Sequence, residues 1–340
     1  MGVAKSSDMH SAARSHYSER PHSLPIVAGR YELRGEIARG GCATVHEAVD
    51  LVHRRVVAIK VLHQKGRDAA PAERLAREAR LAARILHPNV CPVLDAGRHE
   101  DGSPFLVMER LYGETLRARL ARLRRMDPED CIELGVQMLS GLEAAHDLGV
   151  LHRDMKPENV FIVPQETGPF TVKILDFGMC RGTASIPLDD RTLTVAGTVV
   201  GTPEYMSPEQ AGGRRDFDQR VDLYSVGIML YEALSGTRAF QGSDPRSVLV
   251  AVLTKKIPPL RSIDPNIPFA LERVIVRATE RDPRARYATA GEFLHDLLEA
   301  RTSLRRQRAH RAIASETIRT VSPFTDLADL DATTRQLNVR

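Results

Sequence analysis

Long apolar runs are missing from this chain. Nothing approaches the roughly 18 to 20 consecutive apolar residues of a membrane span, the longest stretches lying around 226–230 and 248–253, so no membrane-spanning segment is expected. Cysteine is scarce: Cys42, Cys91, Cys131 and Cys180 are too widely spaced for a CxxC pair and too few for a disulfide scaffold, which points to a reducing cytoplasm. The start, MGVAKSSDMHSAARS, lacks the apolar core and small-residue cleavage site of a secretory signal. An excess of one charge is also lacking. With 48 Lys+Arg against 44 Asp+Glu the net charge is only +4, so nucleic acid is not expected as a partner. Lysine is the rarest cation, with seven against 41 arginines, a bias typical of GC-rich coding sequence. A lysine inside a motif therefore marks a place where a compact ammonium was kept and a planar guanidinium would not substitute.

What remains is 340 residues at 42% hydrophobic content, enough for one large domain or two ordinary ones. Residues 1–30 read as a flexible tail rich in Ser, His, Arg and Pro, with order beginning near Tyr31. From there to about 111 the patterns predict strands at 31–37, 44–50, 56–62 and 105–108, interrupted by one helix over 72–86 that Pro88 ends. After Gly113 the periodicity becomes helical, at 128–148, 222–234, 246–254, 268–279 and 290–300. The stretch 299–340 is basic and then polar, with little to bury, and reads as a solvated tail. No internal repeat is present.

Four clusters carry chemistry. Residues Ile37, Ala38, Arg39, Gly40, Gly41, Cys42, Ala43, Thr44 and Val45 form a small-residue turn between two predicted strands. Such a turn lets backbone N–H groups approach a polyphosphate, although any tight hairpin can carry Gly-Gly. Lys60 sits in the otherwise apolar strand Val57-Ala58-Ile59-Lys60-Val61, so a counter-charge is required, and Glu78 on the following helix is the candidate. A plain structural ion pair would satisfy the same need. In His152-Arg153-Asp154-Met155-Lys156-Pro157-Glu158-Asn159, a carboxylate able to orient a hydroxyl stands two positions from a cation. Asp176-Phe177-Gly178 follows another short strand, and Asn159 and Asp176 together offer oxygen ligands suited to Mg²⁺, a hard ion.

All four clusters in this order resemble a protein kinase of the serine/threonine type, similar to the eukaryotic-like kinases of bacteria. The resemblance implies an α+β bilobal kinase fold over 31–298, with a β-rich N-lobe at 31–108, a hinge at 109–112 and a mainly helical C-lobe at 113–298. It also implies ATP as phosphoryl donor, Mg²⁺ (Mn²⁺ as the other candidate) as the ion, and proteins bearing Ser or Thr as acceptors. Lys60 would hold the α- and β-phosphates and pair with Glu78, Asp154 would orient the acceptor hydroxyl or take its proton, and Asn159 and Asp176 would hold the metal. Lys156 would steady the γ-phosphate, and Thr202 of Gly201-Thr202-Pro203-Glu204-Tyr205 would brace Asp154 and Lys156. Met108 stands as gatekeeper, with backbone groups of Glu109 and Leu111 meeting the adenine and Val45, Ala58 and Phe161 sandwiching it. Glu209 of Ser207-Pro208-Glu209 would pair with Arg286, and Asp222 would tie the catalytic loop from beneath.

One departure is visible. The family loop GxGxxGxV here reads AxGxxAxV, with Ala38 and Ala43 at the first and third glycine positions, so weakened ATP binding is expected. Between Asp176 and Glu209 lie Thr183, Ser185, Thr192, Thr194 and Thr198, and Arg153 is the arginine that in the family pairs with a phosphorylated segment. Autophosphorylation at Thr198 and then Thr194, through a transient homodimer, is the expectation. Two other classes remain open at this point: a pseudokinase that binds nucleotide with little turnover, favoured by the altered loop, and a small-molecule kinase of the same ancestral fold. The KPEN, GTPEY and SPE segments favour a protein acceptor.

Overall fold

A computed structural model describes residues 25–41, 43–63, 81–177, 202–214 and 216–321. The N-terminal part is a six-stranded antiparallel sheet of β1 (Ile26–Val27), β2 (Tyr31–Arg39), β3 (Ala43–Asp50), β4 (Arg55–Leu62), β5 (Val93–Arg98) and β6 (Pro104–Glu109), in the order β1-β2-β3-β4-β6-β5. Central position explains the sequence of β4. Because side chains alternate across a strand, Val57 and Ile59 enter one cluster with Tyr31, Ala48, Phe105 and Val107, while Leu62 enters another with Ala43 and Leu106. The second face, which also carries Ala58 and Lys60, looks onto the cleft. The register sets Lys60 opposite Val45 on β3 and Leu106 on β6, and Ala58 opposite Met108.

The C-terminal part holds a three-stranded sheet, β7 (Glu114–Thr115), β8 (Val160–Val163) and β9 (Thr171–Ile174), and helices α1 (Leu116–Leu123), α2 (Pro128–His146), α3 (Pro208–Ala211), α4 (Arg220–Ser235), α5 (Pro245–Thr254), α6 (Leu260–Ile263), α7 (Phe269–Ala278) and α8 (Ala290–Val321). Every residue of α4 from Val221 to Ser235 is buried, so it is the axis around which the helical core is built. The chain passes between the two parts through Gly113. Its φ of +153° suits glycine, and a Cβ there would run into the Ile162 carbonyl. Gly113→Ala is expected to cost about 2 kcal/mol of stability, read as a lowered urea midpoint.

Three differences from the sequence expectation have physical causes. The expected N-terminal tail already contains β1, whose Val27 is fully buried against β2. Strand β5 escaped notice because a register shift between Val93 and Asp95 breaks its alternation. The stretch from 299, expected as a solvated tail, continues α8 to Val321. Leu304 is its last buried apolar side chain among the described residues, but Arg301, Arg305 and Arg308 recur at helical spacing and meet Glu133, Glu129 and Asp127 at the start of α2. The helix expected over 72–86 falls largely outside the described residues. No described helix is long and apolar enough to cross a membrane.

Candidate active site

Lys60 emerges from the cleft face of β4, and its Nζ lies 2.7 Å from Asp176 Oδ2, with the side chains 7% and 18% exposed. Two lobes are thereby joined by one charge pair, since Asp176 follows β9. Asp176 takes φ +60° and Arg153 φ +66°, left-handed conformations uncommon for side chains of this kind and concentrated at functional sites. Burial would raise the Asp176 carboxyl, but Lys60, His152 and Lys156 outweigh it and hold the group below the usual carboxylate range. It is an anion ready to face a cation.

The loop between α2 and β8 holds the second group. Lys156 Nζ donates to Asp154 Oδ2 at 2.7 Å, both side chains about a fifth exposed. Asn159 Nδ2 donates to the Asp154 carbonyl at 2.8 Å, which turns its Oδ1 into a neutral oxygen donor, and its own carbonyl accepts from Leu175 N–H at 2.8 Å. That backbone bond ties the Asn159 turn to the strand carrying Asp176. Asn159 and Asp176 fit a hard cation in donor type. Among the described residues no group of three or more acidic, His or Cys side chains is arranged to hold a metal ion, so an ion here would complete its shell with water or phosphate oxygens, as Mg²⁺ commonly does.

Asp222 holds this loop from beneath. Its carboxylate accepts the N–H of His152 at 2.9 Å and of Arg153 at 2.7 Å, and His146 Nε2 stands 2.9 Å away. Burial again opposes ionisation, and the His146 and His152 contacts prevail, leaving Asp222 below its ordinary value. His152 in turn reaches the Leu175 carbonyl with Nε2 at 2.8 Å, and its ring lies 4.9 Å from the Phe177 ring at a tilt of 58°. A further tie was not foreseen: Gln210 Nε2 donates to the Arg153 carbonyl at 3.0 Å from a capping box with Ser207. The spacing Ser-x-x-Gln at 207–210 carried that signal.

Asp50, at the far end of β3, is likewise held low, by the Arg30 guanidinium bonding both oxygens at 2.9 and 2.8 Å. A carboxyl whose folded value lies below its unfolded value of about 4 contributes stability that is complete above about pH 5 and is lost as pH falls through the folded value. Resistance to urea is therefore expected to fall between about pH 5 and pH 3, and Asp50→Asn, remote from the cleft, to flatten part of that fall. An unchanged pH profile in the variant would contradict the assignment.

Of the residues expected around an adenine, Ala58 is buried and Val45, Met108 and Phe161 are half-buried. Val45 and Ala58 belong to the cleft face of the upper sheet, with Met108 opposite Ala58, and Phe161 rises from β8 opposite Lys173. The hinge is strapped to both lobes: Glu109 takes Lys173 of β9 at 3.1 Å, and Arg110 takes Glu47 of β3 at 2.8 Å. Arg110 also bonds the Leu111 carbonyl and lies 4.5 Å over the Tyr112 ring. In the small-residue loop, Gly40 N–H donates to the Ala43 carbonyl at 2.8 Å, closing a tight turn, and Arg39 pairs back to Glu36. Ile37, Ala38, Arg39, Gly40 and Gly41 are exposed, whereas Thr44 is buried with its hydroxyl 2.8 Å from His63 Nε2. Ala43 is only 7% exposed, its methyl packed with Leu62 and Leu106.

Thr202 opens the Pro203–Tyr205 turn without a side-chain cap bond. Glu209 and Arg286 form a buried two-pronged pair at 2.8 Å on each prong. Cys42, Glu78, Gly178, Gly201 and the activation-segment residues Thr183, Ser185, Thr192, Thr194 and Thr198 lie outside the described residues.

Comparison with known proteins converges on the same assembly. The family profile described as "Protein kinase domain" matches residues 31–316. The serine/threonine-protein kinase pkn3 of Myxococcus xanthus is 40% identical over 274 residues, covering 80% of this chain and 50% of its own length. The serine/threonine-protein kinase PknB of Mycobacterium leprae is 37% identical over 279 residues, covering 81% and 43%. The chain thus spans about half the length of these curated relatives or less. The kinase domain of Mycobacterium tuberculosis PknI, 24% identical, shares the fold with a TM-score of 0.64 over 82% of this chain and 98% of that one. With an antiparallel upper lobe, a helical lower lobe and the Lys60 to Asp176 bridge between them, the chain belongs to the protein kinase domain family, among relatives named as bacterial serine/threonine kinases.

Proposed function

We propose that this chain transfers the γ-phosphoryl group of ATP to Ser or Thr hydroxyls of proteins, in the cytoplasm and in response to a signal. The observation that carries the reading is the gathering of two ammonium groups, two carboxylates and an amide oxygen donor on one cleft: Lys60 on Asp176 at 2.7 Å, and Asp154 bonded to both Lys156 and, through its carbonyl, Asn159. Lys60 holds the α- and β-phosphates. Asp154 orients the acceptor hydroxyl and takes its proton, Lys156 offsets charge on the transferring group, and Thr202 braces the two. Asn159 and Asp176 hold Mg²⁺, which supplies neutralisation of the phosphate oxygens. Positioning and fixed charge account for the rate, since phosphoryl transfer needs little covalent help from the protein. Ile37 to Val45 covers the phosphates, and Val45, Ala58, Met108 and Phe161 line the adenine slot against the Glu109 and Leu111 backbone.

Incubation with Mg-ATP and a protein acceptor, set against small alcohol acceptors, tests this: phosphoserine or phosphothreonine should form only in protein. The same incubation tests regulation. Arg153 is exposed while its backbone is pinned by Asp222 and Gln210, which suits it to receive a phosphate from the activation segment. Mass spectrometry should find phosphate at Thr198 or Thr194, and full activity with an unmodified segment would refute that step. The loop alanines give another expectation. Ala38→Gly with Ala43→Gly should tighten Mg-ATP up to about tenfold by calorimetry, while removal of the buried Ala43 methyl costs about 0.8 kcal/mol of stability.

A further inference from the structure

The residue before Asp154 is held in a conformation it does not favour. Arg153 takes φ +66°, which persists at a residue of this kind only where its surroundings over-determine it. The peptide entering Arg153 is fixed by Asp222 of α4, whose carboxylate accepts the Arg153 N–H at 2.7 Å. The peptide leaving it, which carries Asp154, is fixed from a different element. Gln210 of α3 donates from Nε2 to the Arg153 carbonyl at 3.0 Å. At the other end of that peptide the Asp154 N–H has a longer contact, 3.3 Å to His152 Nδ1, so the bond from Gln210 is the shorter of the two that set its plane.

The Gln210 amide can do this in one orientation. Its Oε1 accepts from Ser207 N–H at 3.2 Å and from Ser207 Oγ at 3.3 Å, and Ser207 Oγ accepts from Gln210 N–H at 3.4 Å. Turned end for end, the amide would set oxygen against oxygen at Arg153 and N–H against N–H at Ser207. The start of α3 thus presents a donor to the catalytic loop. What stands behind that donor is firm: Ser207 is fully buried, and Glu209 bonds the buried Arg286 at 2.8 Å on both prongs. The remaining ties on Asp154, from Lys156 to its carboxylate and from Asn159 to its carbonyl, arise within the same loop and would move with it.

We propose, resting on the protein-kinase reading, that Gln210 is a positioning residue for the transfer step. It acts through Asp154: by fixing the plane of the peptide between Arg153 and Asp154 it sets where the Asp154 carboxylate stands. The test uses the full chain, Mg-ATP and a protein acceptor, with initial rates expressed per nucleotide site counted by calorimetry and compared at equal phosphate content. Gln210→Met keeps the length of the side chain and has no donor. Its kcat should fall by about 10- to 100-fold, the scale of a misplaced catalytic group, with KM for Mg-ATP within about threefold of wild type. Gln210→Glu, assayed at about pH 8 where the carboxyl is ionised, keeps the bonds from Ser207 and loses only the donor, and should fall at least as far. Ser207→Ala is the control. It removes the other half of the capping box and lowers the melting temperature while leaving the Nε2 donor in place, so its kcat should stay within about threefold of wild type. Either Gln210 variant turning over at the wild-type rate per site overturns the proposal. So does a Ser207→Ala enzyme that loses as much kcat as Gln210→Met, the mark of a role confined to the stability of α3. Both results presuppose an active wild type; if wild type neither consumes ATP nor labels protein, it is the kinase reading that fails.

Discussion

Asp154→Asn is expected to lower kcat for phosphoryl transfer to a protein acceptor by about 10²- to 10⁴-fold, the range a positioned general base contributes. The geometry makes this variant informative because little else depends on the carboxylate. Its hydrogen bond is to Lys156, at 2.7 Å and with both side chains about a fifth exposed, and the bond that shapes the loop comes from Asn159 to the Asp154 backbone carbonyl, which Asn leaves untouched. A partly exposed pair of this kind contributes at most about 1 kcal/mol, so the melting temperature should move by less than about 4 °C. The nucleotide side should be equally indifferent, since Lys60 and Asp176 do not touch the replaced oxygen. Calorimetry is thus expected to give an Mg-ATP affinity within about threefold of wild type alongside the collapse in turnover. The split separates an enzyme from a nucleotide-binding module. If wild type and variant consume ATP equally slowly, the pseudokinase class that the altered loop leaves open is the right one.

How much of this was legible before the structure depends on what each residue signals by itself. Lys60 was conspicuous because an ammonium in an apolar strand violates the pattern around it, and it does meet a carboxylate; the one the structure describes is Asp176 across the cleft. Asp222 and the pairing of Glu209 with Arg286 were expected from the resemblance and are present at 2.7 to 2.9 Å. Arg117 of α1, whose guanidinium bonds Glu158, Glu232 and Tyr205, was not singled out. In a chain with 41 arginines one more on a helix carries no signal, and its part as a tie appears only when those three partners arrive from three separate elements. The continuation of α8 was hidden for a related reason. Its arginines meet partners at the start of α2, some 170 residues earlier in the chain, and helical spacing identifies the face but not the partner, so a reading confined to local apolar content ends the helix too early. Ala43 shows the limit of motif comparison: read against the family loop it is a missing glycine, yet in place its methyl fills the space between Leu62 and Leu106.

The Arg286 side chain is fully buried and its partner Glu209 nearly so. Beyond the two bonds to Glu209, its guanidinium donates to the carbonyls of Glu280, Arg220 and Arg281 at 2.6, 3.3 and 3.0 Å, and it lies 4.7 Å over the Tyr224 ring. Arg286→Ala would strand a buried carboxylate and three carbonyls together, so a loss of about 3 to 5 kcal/mol is expected, with the melting temperature lowered by roughly 10 °C or more. Activity should fall as well, because Glu209 anchors α3 and the adjacent Gln210 holds the Arg153 carbonyl beside Asp154. The informative control replaces both partners. A Glu209→Leu, Arg286→Met variant removes the two charges at once and keeps most of the volume, which in buried pairs restores much of the stability lost on removing one partner. Recovery should be incomplete here, since Met cannot satisfy the three carbonyls. If urea unfolding shows that the double variant is no better than Arg286→Ala, the stranded carbonyls outweigh the stranded carboxylate, and the residue acts chiefly as a clamp on the backbone between Arg220 and Arg281.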